Sequence, residues 1–258
     1  MSRNVGKKYS ADATVSERVS FVMSLAESRP ENLLKEIKRY VVDRSPTVRA
    51  ATIETVRKGN LRELENSVLP LLTDRSPVVR YTAAECLGDF HEEEGISAFW
   101  LYPLLEDSNE LVRIETLESL GRIGDKKALP LILKSLDDSS PLVRSYAARF
   151  IAELGGKGYL QVLANRNLAE QDEVAKVGLA YALFLLGDSA QLAVLLDLLS
   201  SDNYRVRCAS ANSLSALDFT PAQLQTVLRA LSYAGRNALE VADRSTMSRV
   251  RKELDSHD

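Results

Sequence analysis

An acidic residue followed six positions later by a basic one recurs along this chain. The pairs are Asp43/Arg49, Asp74/Arg80, Asp107/Arg113 and Asp138/Arg144, with Asp12/Arg18 before them and Glu170/Lys176 after. Arginine and carboxylate make planar, two-pronged hydrogen bonds, so the pattern offers two chemistries. In one, each aspartate caps a turn and each arginine forms an ion pair across the interface between repeats. In the other, the arginines form a row of cations for an anionic ligand. One identical position per repeat is what stacking requires, which favours the structural reading. The acid position is Ser201 ahead of Arg207, so a looser last interface is expected there.

Acid–base, nucleophilic and metal chemistry have little to work with. The chain holds two histidines, His91 and His257, and two cysteines, Cys86 and Cys208. His91 is followed by Glu92, Glu93 and Glu94, but consecutive helical residues point in different directions. The run therefore reads as a solvated helix end. No Ser-His-Asp set, phosphate-cradling glycine loop or HExxH pair occurs. Gly121 to Gly124 in LGRIG is a helix stop, because no strand precedes it. The expectation is a non-enzymatic chain with no catalytic residue, no metal and no cofactor. The cysteines sit four repeats apart, roughly 40 Å at about 10 Å per repeat and beyond disulfide reach. Free thiols, and an N-terminus (MSRNVGKKYSADATV) without an apolar leader, lead to an expected cytoplasmic location with no membrane contact.

The elements that carry these arginines repeat with them. From Arg49 through Arg80, Arg113, Arg144 and Lys176 to Arg207 the steps are 31, 33, 31, 32 and 31 residues. A sustained period near 32 marks a repeat array. The copy from Asp137 to Gly156, DDSSPLVRSYAARFIAELGG, shows its parts. Ser140 can cap the first turn, and Pro141 suits the first helical position. Leu142, Val143, Ala147, Phe150, Ile151 and Leu154 fall on one face. Ala147 and Ala148 let another helix approach, and Gly155 and Gly156 can end the helix at positive φ. The pattern predicts first helices at 31–42, 61–73, 94–106, 126–137, 157–169, 189–200 and 221–234. Second helices are predicted at 14–28, 46–58, 77–91, 109–123, 141–154, 172–186 and 203–217. Residues 1–11 read as a flexible segment, 12–235 as the array, and 236–258 as a polar capping helix.

The phrase acidic-x-x-Pro-x-Val-Arg-x-x-Ala-Ala-x-x-Leu-Gly-x-Ile-Gly-Asp resembles the HEAT-like repeat of the phycobilisome-lyase type. Residues 76–90 and 112–125 match it closely, and the resemblance covers about 12–218. It implies an all-α fold, a right-handed α-α superhelical solenoid of about seven HEAT-like helix pairs, with second helices on the concave face. On activity it is broad, because that repeat serves unrelated proteins. It implies, as an alternative to a scaffold, a subunit of a bilin-chromophore lyase or a phycobilisome-processing factor. A DNA glycosylase of the HEAT-like alkylpurine class is the other alternative.

Charge bears on that choice. Residues 61–125 hold 14 acidic and 5 basic side chains, whereas residues 1–60 hold 7 and 12. An acidic middle opposes nucleic acid and favours a basic protein partner. With Val79, Ala83, Cys86, Leu87 and Phe90 turned to the core, Tyr81 and Glu85 point away from it. Shifting by one repeat gives Glu54, Ile114, Glu118, Arg149, Tyr181 and Asn212. The expected partner-binding row is Tyr81, Glu85, Ile114, Glu118, Arg149 and Tyr181. Beside it, Phe99 and Leu101 are expected in the core, with Trp100 partly covered by a neighbouring repeat. No oligomeric state follows from these residues.

Overall fold

The computed structural model describes residues 13–28, 31–90, 98–238 and 241–255. The expected flexible segment 1–11, the start of the Asp12/Arg18 pair, the His91–Glu94 run and His257 lie outside these residues. Among the described residues every regular element is helical. No helix there is long and apolar enough to cross a membrane. The chain divides into two compact units, Met1–Ala128 and Leu129–Asp258.

In the first unit, α1 (Val15–Ser28), α3 (Pro46–Lys58), α5 (Pro77–Asp89) and α6 (Glu110–Ile123) are the second helices, and each packs on the next. α2 (Leu33–Tyr40) packs on α3, and the short α4 (Glu65–Val68) on α5. In the second unit the corresponding stack is α8 (Pro141–Gly155), α10 (Glu173–Leu185), α12 (Tyr204–Ser215) and α14 (Val241–Asp255). Ahead of them run α7 (Leu129–Ile132), α9 (Leu160–Ala169), α11 (Gln191–Leu198) and α13 (Pro221–Asn237). The fold is an all-α repeat solenoid of helix pairs.

Proline and glycine set the boundaries. Pro46, Pro77 and Pro141 open their helices at the first position, where a missing N–H costs nothing. Ser140 Oγ accepts the Val143 N–H at 3.4 Å. Gly156 takes φ +65° just past α8, as the glycine stop requires. Gly155 does not: it stays at φ −92° inside the helix. Leu142 also departs from expectation, at 36% exposed, while Val143, Ala147 and Ile151 are fully buried.

The first helices of the middle repeats differ most from the periodic pattern. Segments Leu69–Thr73 and Leu133–Asp137 are 3₁₀, and so is the whole of Ala98–Glu106. Pro70, Pro103 and Pro130 sit inside the predicted helices. An internal proline removes one i→i−4 hydrogen bond and clashes with the carbonyl a turn earlier, so the chain tightens into short i→i+3 pieces. Along these first-helix stretches Leu64, Leu101 and Ile132 are still completely buried, each worth about 1.5–3 kcal/mol.

Close packing of neighbouring second helices depends on two glycines. A β-carbon on Gly88 would stand 2.5 Å from Ser119 Oγ of α6, and one on Gly178 of α10 would overlap the Ser145 carbonyl of α8.

Candidate partner-binding surface

The recurrent arginines hold each unit together. In the first unit Arg18 clasps Asp43 through Nε and Nη2 at 2.9 and 3.1 Å. Arg49 clasps Asp74 at 2.7 Å twice, and Arg80 clasps Asp107 at 2.6 and 2.7 Å. In the second unit Arg144 holds Glu170 at 2.8 and 2.9 Å. The six-residue interval has a separate cause. Nη1 donates to the backbone carbonyl six residues earlier, Asp43 for Arg49, Asp74 for Arg80, Asp107 for Arg113 and Asp138 for Arg144. Each of those aspartates also accepts, at 2.8 Å, the backbone N–H two residues on, from Ser45, Ser76, Asn109 and Ser140. The Arg49, Arg80 and Arg144 rungs thus each join a turn, their own helix and a carboxylate about 26 residues further along.

Electrostatics follow from that geometry. Burial alone would raise the Asp74 and Asp107 carboxyls, but the clasping guanidinium and the turn N–H hold both below the usual range. The two-pronged bond from Arg144 pulls Glu170 down to about 2. Where the acid position is Ser201, the hydroxyl bonds to Glu173 Oε2 instead.

The same second helices present a different set of residues on another face. In the first unit Arg57 of α3 binds Glu54 at 2.8 Å, and reaches Asp89 at 2.7 Å and Glu85 at 3.4 Å on α5. Arg122 of α6 reaches Asp89 at 3.2 Å and Glu115 at 2.7 Å. One network therefore spans three successive helices. Tyr81 lies half-buried within it, its phenol raised first by burial and then by Glu115. Burial also raises the Glu85 carboxyl. Arg57 opposes that shift, but Glu115, Glu54 and Asp89 reinforce it. Glu118, half-buried, completes the set on α6. Ile114 does not join it: at 7% exposed it is part of the core, where an isoleucine gains about 1.5–3 kcal/mol over exposure to water.

In the second unit the row closes up. Tyr181 is 4% exposed. Its hydroxyl donates to Glu153 at 3.0 Å, and the Arg149 guanidinium lies over its ring at 5.2 Å. Arg149 also binds Glu153 at 2.8 Å. Burial and Glu153 push the Tyr181 phenol up to about 12. Instead of projecting to a partner, Tyr181 fills the space between α8 and α10 beneath Arg149.

The aromatic cluster on Ala98–Glu106 also differs from expectation. Phe99 is 59% and Trp100 51% exposed, while Ala98, Leu101 and Leu104 are buried. Three residues per turn align 98, 101 and 104 and turn Phe99 outward. Tyr102 is fixed by a hydrogen bond to Asp125.

Two stretches of the chain, 31–100 and 97–184, match the family model described as HEAT repeats. The chain belongs to the HEAT repeat family. Among solved structures, the complex of CpcE and CpcF of phycocyanin lyase from Nostoc sp. PCC7120 is similar over 98% of this chain and 99% of that one, at 16% identity and a TM-score of 0.62. YibA of Escherichia coli is similar over 96% and 99%, at 15% identity and a TM-score of 0.51. No curated protein sequence is recognisably similar to the chain.

Sequence reasoning missed several HEAT-repeat residues. Arg57, Asp89, Glu115 and Arg122 are not in the periodic marker, so only the helix-face positions beside Glu54 and Glu85 could have pointed to them. Asp243 had a clearer signal. It lies six residues before Arg249, as Asp74 lies before Arg80. The interval from Arg207 to Arg249 is 42 residues, which hides the copy from a search at 32. In the structure Asp243 is fully buried and accepts both Nε and Nη2 of Arg207, at 3.1 and 2.5 Å. Met247, Val250 and Leu254 of α14 join the core around Leu195 and Leu214. Among the described residues no group of His, Cys, Asp or Glu side chains could hold a metal ion.

Proposed function

We propose that this HEAT-repeat protein is a non-catalytic scaffold that binds a basic segment of a partner protein on the α3–α5–α6 face. The observation that carries this reading is the charge balance of that face. Five carboxylates, Glu54, Glu85, Asp89, Glu115 and Glu118, gather around Arg57, Lys58 and Arg122. The upward shift of Glu85 means the site stabilises its anion poorly, and a partner's Lys or Arg would supply the missing counter-charge. Tyr81 adds a rigid, amphipathic contact at the centre. Carboxylates arranged this way speed association with a basic surface and make it salt-sensitive. They also oppose a DNA backbone, which weighs against a glycosylase.

The experiment is retention of protein from extracts of the native host by the wild type and by the Glu85→Gln/Glu118→Gln double variant. Retention should fall in the double variant and fall again at raised salt. Retention indifferent to both would refute the acidic face as the binding site.

A second reading, a bilin-lyase subunit, draws support from the likeness to the CpcE–CpcF complex along nearly the whole chain. Mixing the protein with bilin and an apo-phycobiliprotein tests it. A red-absorbing covalent adduct would favour the lyase reading, and its absence with a suitable acceptor present would remove it.

A further inference from the structure

The acidic face of the first unit has a register as well as a charge. Glu54, Glu85 and Glu118 each lie five residues after a marker arginine, Arg49, Arg80 and Arg113. They therefore hold one position on three successive second helices, α3, α5 and α6, each packed on the next. The second unit does not continue the row: the same position there is Arg149, Tyr181 and Asn212. Glutamates placed in this way recur at the distance between neighbouring helix axes, about 8–10 Å.

The face already shows how it takes a cation. The Arg57 guanidinium lies across the α3–α5 interface, 2.8 Å from Glu54, 2.7 Å from Asp89 and 3.4 Å from Glu85. The Glu54 and Glu85 side chains still keep 27% and 26% of their surface in solvent, so a second cation can reach them. Tyr81 is near the same charges: after burial and Glu115, Glu85 and Glu118 raise its phenol.

A basic partner that uses the whole row must present its cations on one side at the same pitch. A β-strand does not, because its same-side residues fall about 6.6 Å or about 13 Å apart. A polyproline II segment does: three residues per turn at 3.1 Å each bring the same side round every 9.3 Å or so. An α-helix meets the pitch at seven residues, about 10.5 Å, but helices dock by laying an apolar stripe into an apolar groove. This row offers carboxylates and one tyrosine, and an aromatic ring is what polyproline II ligands pack against.

We infer, on the reading that the acidic face is the binding site, that its occupant is a polyproline II segment of a partner protein with Lys or Arg at every third residue. Successive basic side chains sit on Glu85 and Glu118, and an intervening proline packs on Tyr81. The segment runs across the second helices, from one repeat to the next.

The test is fluorescence anisotropy of the full chain with three labelled peptides of equal charge. One is a run of Arg-Pro-Pro triplets. The second has the same residues reordered, with arginines two and four apart. The third is an alanine-rich helix with arginines seven apart. The triplet peptide should bind tightest, and the reordered one about tenfold more weakly. Glu85→Gln/Glu118→Gln should weaken the triplet peptide and erase that gap, with an unchanged melting temperature. Should the double variant unfold, Glu118→Gln alone should narrow the gap in the same direction. Equal binding of the triplet and reordered peptides, both weakened by the double variant, overturns the spacing and leaves the acidic face standing as the site. Tightest binding by the helical peptide gives the face to a helix and also overturns the proposal. So does failure of all three to bind, and the acidic face falls with it only if retention of the host partner is indifferent to the same double variant.

Discussion

Two faces of the same second helices have opposite characters. On one, Arg49 and Arg80 occupy one repeated position and make the same three-nitrogen contact in the same geometry. On the other, the position after the arginine is Tyr81 on α5 and Ile114 on α6, and each makes its own contacts. A solenoid must satisfy the same interface in every copy, so residues serving the interface repeat. Residues free of that demand vary, and their variation gives the first unit a connected acidic network. The periodic face holds the fold, and the aperiodic face is where recognition can be written.

The largest test of that division lies in the core. Tyr181→Ala should cost about 3–5 kcal/mol in denaturant unfolding, because it empties a buried aromatic site beneath Arg149. Arg80→Ala should lose a similar amount, about 3–5 kcal/mol, by leaving the Asp107 carboxylate buried without its partner. If Arg80→Ala unfolds at the wild-type midpoint, the arginines are not structural and the contrast fails.

A smaller effect sharpens the stacking argument. Gly178→Ala should cost about 1–3 kcal/mol through overlap with α8. Gly158→Ala, at a position with open space around it, should change stability by less than about 0.5 kcal/mol. Equal effects would mean that neighbouring helices are less closely seated than the glycine contacts require.

Acid should weaken the rungs through a defined window. Glu170 has its folded pKa depressed from 4.5 to about 2. Its contribution is therefore fully present above pH 4.5 and lost as pH falls toward 2. The linked stability is up to about 3 kcal/mol, from about 1.4 kcal/mol per pKa unit. Asp74 and Asp107 shift downward too and add loss of the same sign. Glu85, whose pKa is raised, works oppositely, since protonation relieves its destabilised anion. Urea midpoints followed from neutral pH into acid should fall less steeply for Glu170→Gln than for the wild type. A parallel fall would sever Glu170 from the acid response.

How much of this could be read from sequence depends on whether the feature repeats. The second-helix spans at 46–58 and 109–123 were legible within a residue or two, because the Arg marker and the glycine stop agree on both, with a Ser-Pro start on the first. The broken first helices were not, because a single internal proline such as Pro103 overrides a helical apolar pattern. It also shifted the period from 3.6 to 3, which exposed Phe99. The Arg57–Asp89–Arg122 network was only partly legible. Helix-face arithmetic found Glu85 and Glu118, but a position shared by Tyr81 and Ile114 cannot reveal which side chain packs inward. Tyr181 misled for the same reason: Arg149 above it and Glu153 beside it draw a polar-tipped ring into the core.

The smallest structural effects belong to the recognition face. Tyr81→Ala should cost less stability than Tyr181→Ala, yet weaken partner binding by about 1–3 kcal/mol. Glu65→Ala and Lys134→Ala, on first helices, should do neither. A Tyr81→Ala protein that binds normally while Glu65→Ala does not would move the partner to the first-helix side.

The most direct measurement is site-specific photocrosslinking in the native host, with a crosslinking amino acid placed in turn at positions 81, 118, 65 and 134. A captured protein is expected at 81 and 118, lost on Glu85→Gln, and none at 65 or 134. Capture at 65 and 134 with none at 81 and 118 would contradict it.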